Sequence, residues 1–97
     1  MSRIKIQYLG PVRAIVNKRE EELELSLTTT IHGLLKRLSD TYGEAFKKEV
    51  FEDDQKSVRD DLIVTINGKA IHQLDGERTR LKLGDIVALL PIFAGGG

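Results

Sequence analysis

The sequence predicts an α+β domain in which a mixed sheet packs on one main helix, and three observations predict it. Period-two alternation at Arg3 to Leu9, and again at Glu21 to Leu27, marks two strands near the N-terminus. From Ile31 to Tyr42 the apolar residues switch to the spacing of an amphipathic helix. The last fifteen residues, Leu83 to Gly97, run from a Gly-Asp turn through an apolar, β-branched segment into bare glycine.

Taken in order, Ile4, Ile6 and Tyr8 share one face of the first strand, and Gly10-Pro11 breaks it because proline has no N–H to continue a ladder. Val12 to Val16 fits a short helical turn or an irregular loop, with Asn17-Lys18-Arg19 as the following turn. The second strand turns Leu23, Leu25 and Leu27 inward and pairs antiparallel with the first. Its acidic run, Glu20 to Glu24, reads as the solvated face of an edge strand, with a docking patch for a basic partner as the other reading. Thr29 or Thr30 caps the helix, whose stripe is Ile31, Leu34, Leu35, Leu38 and Tyr42, and Gly43 suits a left-handed stop. Gly33 within it is read as allowing close helix–sheet packing.

Ala45-Phe46 and Val50-Phe51 form a second short helical cover, and Glu52 to Asp61 is a polar surface loop. The aspartates of that loop lack the spacing of a calcium site, so no metal is expected. Leu62 to Ile66 is a β-branched strand, and Asn67-Gly68 is a type I′ hairpin pair that returns through a short strand, Lys69 to His72. Leu74 to Glu77 turns again, and Arg78 to Leu83 leads to the Gly84-Asp85 corner. In the final strand Ile86 and Ala88 face one way and Val87 and Leu89 the other, all apolar. Pairing the first and last strands parallel in the middle of the sheet gives a β-grasp arrangement. One substantial helix covers one sheet face, so the other face is expected to be open for a partner.

Composition narrows the function. A chain of 97 residues supports one core, expected as a single domain over 1–93 with a tail at 94–97. Fifteen basic residues balance fifteen acidic ones, which argues against nucleic-acid binding through phosphate neutralisation. With no cysteine there is no thiolate nucleophile, Cys-ligated zinc or iron–sulfur cluster. No apolar run approaches the ~20 residues of a membrane span and no signal-peptide core is evident, so a cytoplasmic protein is expected. His32 and His72 stand alone, and nothing resembles an oriented nucleophile–base pair, so no catalytic residue is expected.

The reactive group is then expected at the terminus itself. Four residues, Ala94 to Gly97, extend about 13 Å at 3.3–3.6 Å each. Lacking Cβ atoms, the glycines can thread a narrow channel. The bland reading of such a tail is an inert, disordered end.

Tyr8-Leu9-Gly10-Pro11-Val12-Arg13 followed by Glu20 to Leu25, Thr30-Ile31-His32-Gly33-Leu34-Leu35 through Tyr42-Gly43, Ile66-Asn67-Gly68, Leu74-Asp75-Gly76, and Gly84 to Pro91 ending in Ala94-Gly95-Gly96 appear in that order. Together they resemble the sulfur-carrier and ubiquitin-like family that contains the small subunit of molybdopterin synthase (MoaD), the thiamine-pathway carrier ThiS and the small archaeal modifier proteins. The resemblance spans nearly the whole chain. It implies a ubiquitin-like β-grasp fold, no cofactor, and a monomer when free. It further implies that an E1-like enzyme adenylates the terminal glycine with ATP. The product is then sulfurated to a thiocarboxylate for the large subunit of molybdopterin synthase, or attacked by lysines of target proteins. Gly97 is taken as the activated residue with Gly96 as the alternative, because Gly97 lies one residue beyond the family's diglycine at Gly95-Gly96. Ala94, Gly95 and Gly96 thread the channel, and Leu89, Leu90, Pro91, Ile92 and Phe93 dock the partner. Pro91-Ile92-Phe93 departs from the paired prolines and valine that the family often carries. A β-grasp interaction module with an inert tail is the alternative.

Overall fold

The computed structural model describes residues 2–26, 28–52 and 57–91. Five strands, β1 (Ser2–Tyr8), β2 (Glu20–Leu25), β3 (Leu62–Ile66), β4 (Lys69–Ala70) and β5 (Ile86–Pro91), form one mixed sheet of order β2-β1-β5-β3-β4. β5 is central, parallel to β1 and antiparallel to β3. Three helices, α1 (Gly10–Val16), α2 (Ile31–Tyr42) and α3 (Glu44–Val50), contribute to a single core on one face of that sheet. This is the β-grasp arrangement the alternation and helix spacing predict. None of the helices described is long and apolar enough to cross a membrane.

The core follows from strand parity. Ile4, Ile6 and Tyr8 on β1, Leu25 on β2, Val64 and Ile66 on β3, and Val87 and Leu89 on β5 are all buried. Against them lie Ile31, Leu34, Leu35 and Leu38 of α2, with Phe46 and Val50 of α3. Thr30 caps α2, its hydroxyl accepting from Gly33 N–H at 3.2 Å. Gly43 links α2 directly to α3 with φ +91°, but its ψ of −162° is extended rather than left-handed helical. Of the two options for Val12 to Val16 the structure takes the helix, started by Pro11 and closed by left-handed Asn17 at φ 60°.

Four expectations need correction. β2 ends at Leu25, and Leu27 lies outside the described residues. The return strand after Asn67-Gly68 is only Lys69–Ala70, because the chain bends at Ile71 into a 3₁₀ turn that packs Ile71 on the core. Gly33 is exposed and approaches no strand; an added Cβ there would meet only Thr29 and Thr30 at ordinary contact distance. Glu21 does not belong to the solvated acidic face: it shares the inner side of β2 with Leu23 and Leu25, while Glu20, Glu22 and Glu24 point outward.

Candidate functional site

The expected site lies at the C-terminal end of β5. Val87 and Leu89 are fully buried, and burial of two such side chains stabilises the strand by about 3–6 kcal/mol. Leu89 therefore anchors the strand on the core side and offers no surface to a partner. Leu90 and Pro91 are half-buried at the rim, while Ile92, Phe93 and the tail residues Ala94, Gly95, Gly96 and Gly97 lie outside the described residues. On the sheet face away from the helices, Ile86, Ala88 and Leu90 alternate with the buried set, and register places Ile63 opposite Leu90 and Thr65 opposite Ala88. Lys5 and Gln7 flank them on β1. Ile86 is 39% exposed. The open face is thus apolar along β5 and β3 and charged toward the β2 edge.

Pro91 can end the strand without a lost hydrogen bond. Asn67 N–H donates to the Ile86 carbonyl at 2.8 Å. Antiparallel pairs alternate between bonded and non-bonded, so Leu62–Pro91 falls on a non-bonded pair. On the other side, Leu9 N–H donates to the Leu89 carbonyl at 3.0 Å and the chain then leaves into α1. The Pro91 ring packs on the bare Cα of Gly10, where a Cβ would sit 2.8 Å from Pro91 Cγ. Gly10 also has φ +62°. Sequence reading gave Gly10 only the role of strand breaker; it is also the floor beneath the Pro91 ring.

The start of β5 is held just as firmly. Asn67 and Gly68 both have positive φ, as a type I′ turn requires. The Asn67 amide donates to Asp85 Oδ1 at 3.0 Å and accepts from Ile86 N–H at 2.9 Å, while Asp85 Oδ2 accepts from Lys82 N–H at 2.8 Å. On the edge strand β2, Glu21 Oε2 accepts from the hydroxyls of both Tyr8 and Tyr42, each at 2.5 Å. Burial pushes the pKa of the Glu21 carboxyl up, but the two tyrosine donors and nearby Lys18 outweigh it and leave the pKa below the usual carboxylate value. Burial first, then the Glu21 carboxylate, push the Tyr8 hydroxyl well above its ordinary value. These groups tie β1, β2 and α2 together. His32 Nδ1 donates to Glu77 Oε1 at 2.9 Å and its ring abuts Phe51, whereas His72 is exposed.

A mixed sheet of this order, with its last strand central, parallel to the first and ending at the rim, defines a ubiquitin-like β-grasp protein. Small archaeal modifier protein 1 of Methanosarcina acetivorans is 26% identical, with a TM-score of 0.79 over 99% of this chain and 98% of that one. A Pyrococcus furiosus protein described as molybdopterin converting factor, subunit 1, is 26% identical, with a TM-score of 0.76 over 96% of this chain and 100% of that one. SAMP1 of Haloferax volcanii, at 22% identity, shares the fold with a TM-score of 0.82 over 98% of this chain and 100% of that one. The profile of the ThiS family matches residues 6–96, and the chain belongs to that family of ubiquitin-like sulfur carriers and modifiers. No curated protein sequence matches it.

Proposed function

We propose that this protein is a carrier whose C-terminal glycine carboxylate, on Gly97 or alternatively Gly96, is the reacting group. The single observation that carries the reading is the placement of β5: a buried, doubly clamped central strand ends at the sheet rim and continues in sequence to Ala94-Gly95-Gly96-Gly97. A carboxylate is a poor electrophile because its charge is delocalised. An E1-like enzyme would overcome this by attacking the α-phosphorus of ATP with a carboxylate oxygen, forming the acyl-adenylate and releasing pyrophosphate. A sulfide-level nucleophile, hydrosulfide, then attacks the acyl carbon and expels AMP to leave a thiocarboxylate, or a lysine amine attacks it, expels AMP and loses a proton to form an isopeptide bond. Neither step needs a side chain from the carrier.

Residues 1–93 serve as the rigid body and 94–97 as the threaded tail. Leu90, Pro91, Ile92 and Phe93, with the apolar open face at Ile86, Ala88 and Ile63, form the docking surface for the E1-like enzyme and for the acceptor, the large subunit of molybdopterin synthase or a lysine-bearing target. The free protein works as a cytoplasmic monomer without a cofactor. The test is the chemical state of the C-terminus in cell extract. A thiocarboxylate identifies the sulfur-carrier role and a lysine conjugate the modifier role. A plain acid throughout, in cells that contain the E1-like enzyme, rejects the proposal.

A further inference from the structure

The outer side of α1 carries a feature that the docking strand does not use. Gly10, Arg13, Ala14, Asn17, Lys18 and Arg19 line a groove of about 520 Å³. Three of the six are cations and none is an anion. Lys18 is engaged by Glu21 at 3.7 Å, whereas Arg13 and Arg19 form no ion pair among the described residues. In a chain of zero net charge this is a local excess of positive potential on a concave surface.

Its position gives it a use. Because β1 and β5 are parallel, α1, which follows β1, lies at the same end of the sheet at which β5 ends. Gly10 belongs to both features, lining the groove with one side and supporting the Pro91 ring with the other. A protein that grips the chain at Pro91 therefore approaches the end of the sheet where α1 lies. The reacting carbonyl is six residues further on, a reach of about 20 Å at 3.3–3.6 Å per residue. A fully extended tail would carry nucleotide phosphates at that carbonyl away from Arg13 and Arg19, leaving the groove to the protein that surrounds the base of the tail.

We propose that the α1 groove is a second docking point, which receives aspartate or glutamate side chains from the rim of the adenylating enzyme's tail channel. The proposal rests on the carrier reading above. Opposite charges on the two rims would steer the carrier into orientation before the tail is threaded, and like charges would oppose docking.

The experiment is ATP–pyrophosphate exchange by the E1-like enzyme of the same cell, with the full chain as substrate. Arg13→Glu/Arg19→Glu is compared with Arg13→Gln/Arg19→Gln and wild type; Lys18 is left alone because it holds Glu21. The charge-reversed variant is expected to raise KM for the carrier about tenfold or more, with kcat within twofold and thermal unfolding unchanged, and the neutral variant to fall between. Raising salt from about 0.1 to 1 M shortens the screening length from about 10 to about 3 Å, so KM of the wild type should climb while that of the neutral variant stays nearly flat. Exchange whose KM ignores both substitution and salt overturns the groove alone. Absence of exchange with the wild-type chain overturns the carrier reading, and the groove proposal with it.

Discussion

Replacing Gly10 with alanine tests how the sheet aims the emerging chain. At φ +62° an L-residue costs about 1–2 kcal/mol relative to glycine. The new Cβ would also lie 2.8 and 2.9 Å from Cγ and Cδ of Pro91, inside any real contact distance, and the rigid ring cannot swing away as a flexible side chain would. Overpacking of this kind costs about 1–3 kcal/mol, while the stiffer unfolded chain offsets about 0.4–1 kcal/mol. The net loss is about 2–3 kcal/mol, which for a domain of this size lowers Tm by about 10–20 °C. Calorimetry or thermal circular dichroism measures it. A double-mutant cycle with Pro91→Ala isolates the contact, since that change removes the two clashing atoms and leaves the φ penalty. About half of the Gly10→Ala loss should disappear in the Pro91→Ala background. A Gly10→Ala protein that melts within about 2 °C of wild type, or a cycle with no coupling, would refute the idea that Pro91 rests on Gly10.

Gly33→Ala should stabilise the protein by up to about 1 kcal/mol, because Gly33 is exposed in mid-helix and the added Cβ meets Thr29 and Thr30 at 3.6 and 3.7 Å; a drop in Tm would show that the glycine is needed for packing. Leu89→Ala and Leu90→Glu should separate the two faces of β5. The first should cost about 2–5 kcal/mol in urea denaturation. The second should leave folding nearly intact while weakening association with the adenylating enzyme; equal effects on stability would contradict the assignment of faces. Glu21 has a folded pKa below its unfolded one, so its contribution is complete above the ordinary carboxylate value of about 4.3 and fades as pH falls through the lower folded value. Stability against urea should therefore fall in that acid window for wild type and be flatter for Glu21→Gln; identical pH profiles would remove Glu21 from the account.

Elements with a clean period were legible in the sequence. β1 and α2 were marked by parity and by the 3.6-residue stripe, and the Asn67-Gly68 turn by the demand for positive φ at both positions. β5 was legible as a strand but not by face. It is apolar on both sides, so nothing within Ile86 to Leu90 says whether Leu89 or Leu90 enters the core; the register with Tyr8 and Val64 decides. Glu21 was hidden for a different reason. A glutamate within an acidic run reads as solvated, and its two hydroxyl partners stand 13 and 21 positions away. The short β4 was lost to tertiary demand, because Ile71 is pulled onto the core instead of continuing the ladder. At the candidate site the strand, its rim and the glycine tail could be read from the residues. The Gly10–Pro91 contact could not, since only the parallel β1–β5 pairing brings those two segments together, and the cationic groove along α1 could not, since the residues admitted either a helix or a loop there and only the helix sets Arg13, Lys18 and Arg19 around one concavity.

Intact-mass spectrometry of the chain after incubation with an E1-like enzyme of the same cell and ATP tests most directly whether the protein presents its own terminus for activation. The expected product carries one adenylyl group on the final glycine, and a chain shortened by Gly96 and Gly97 gains none while unfolding at the same temperature as the full chain. An unaltered carboxylate on the full chain, beside an enzyme that adenylates another carrier in the same tube, would contradict it.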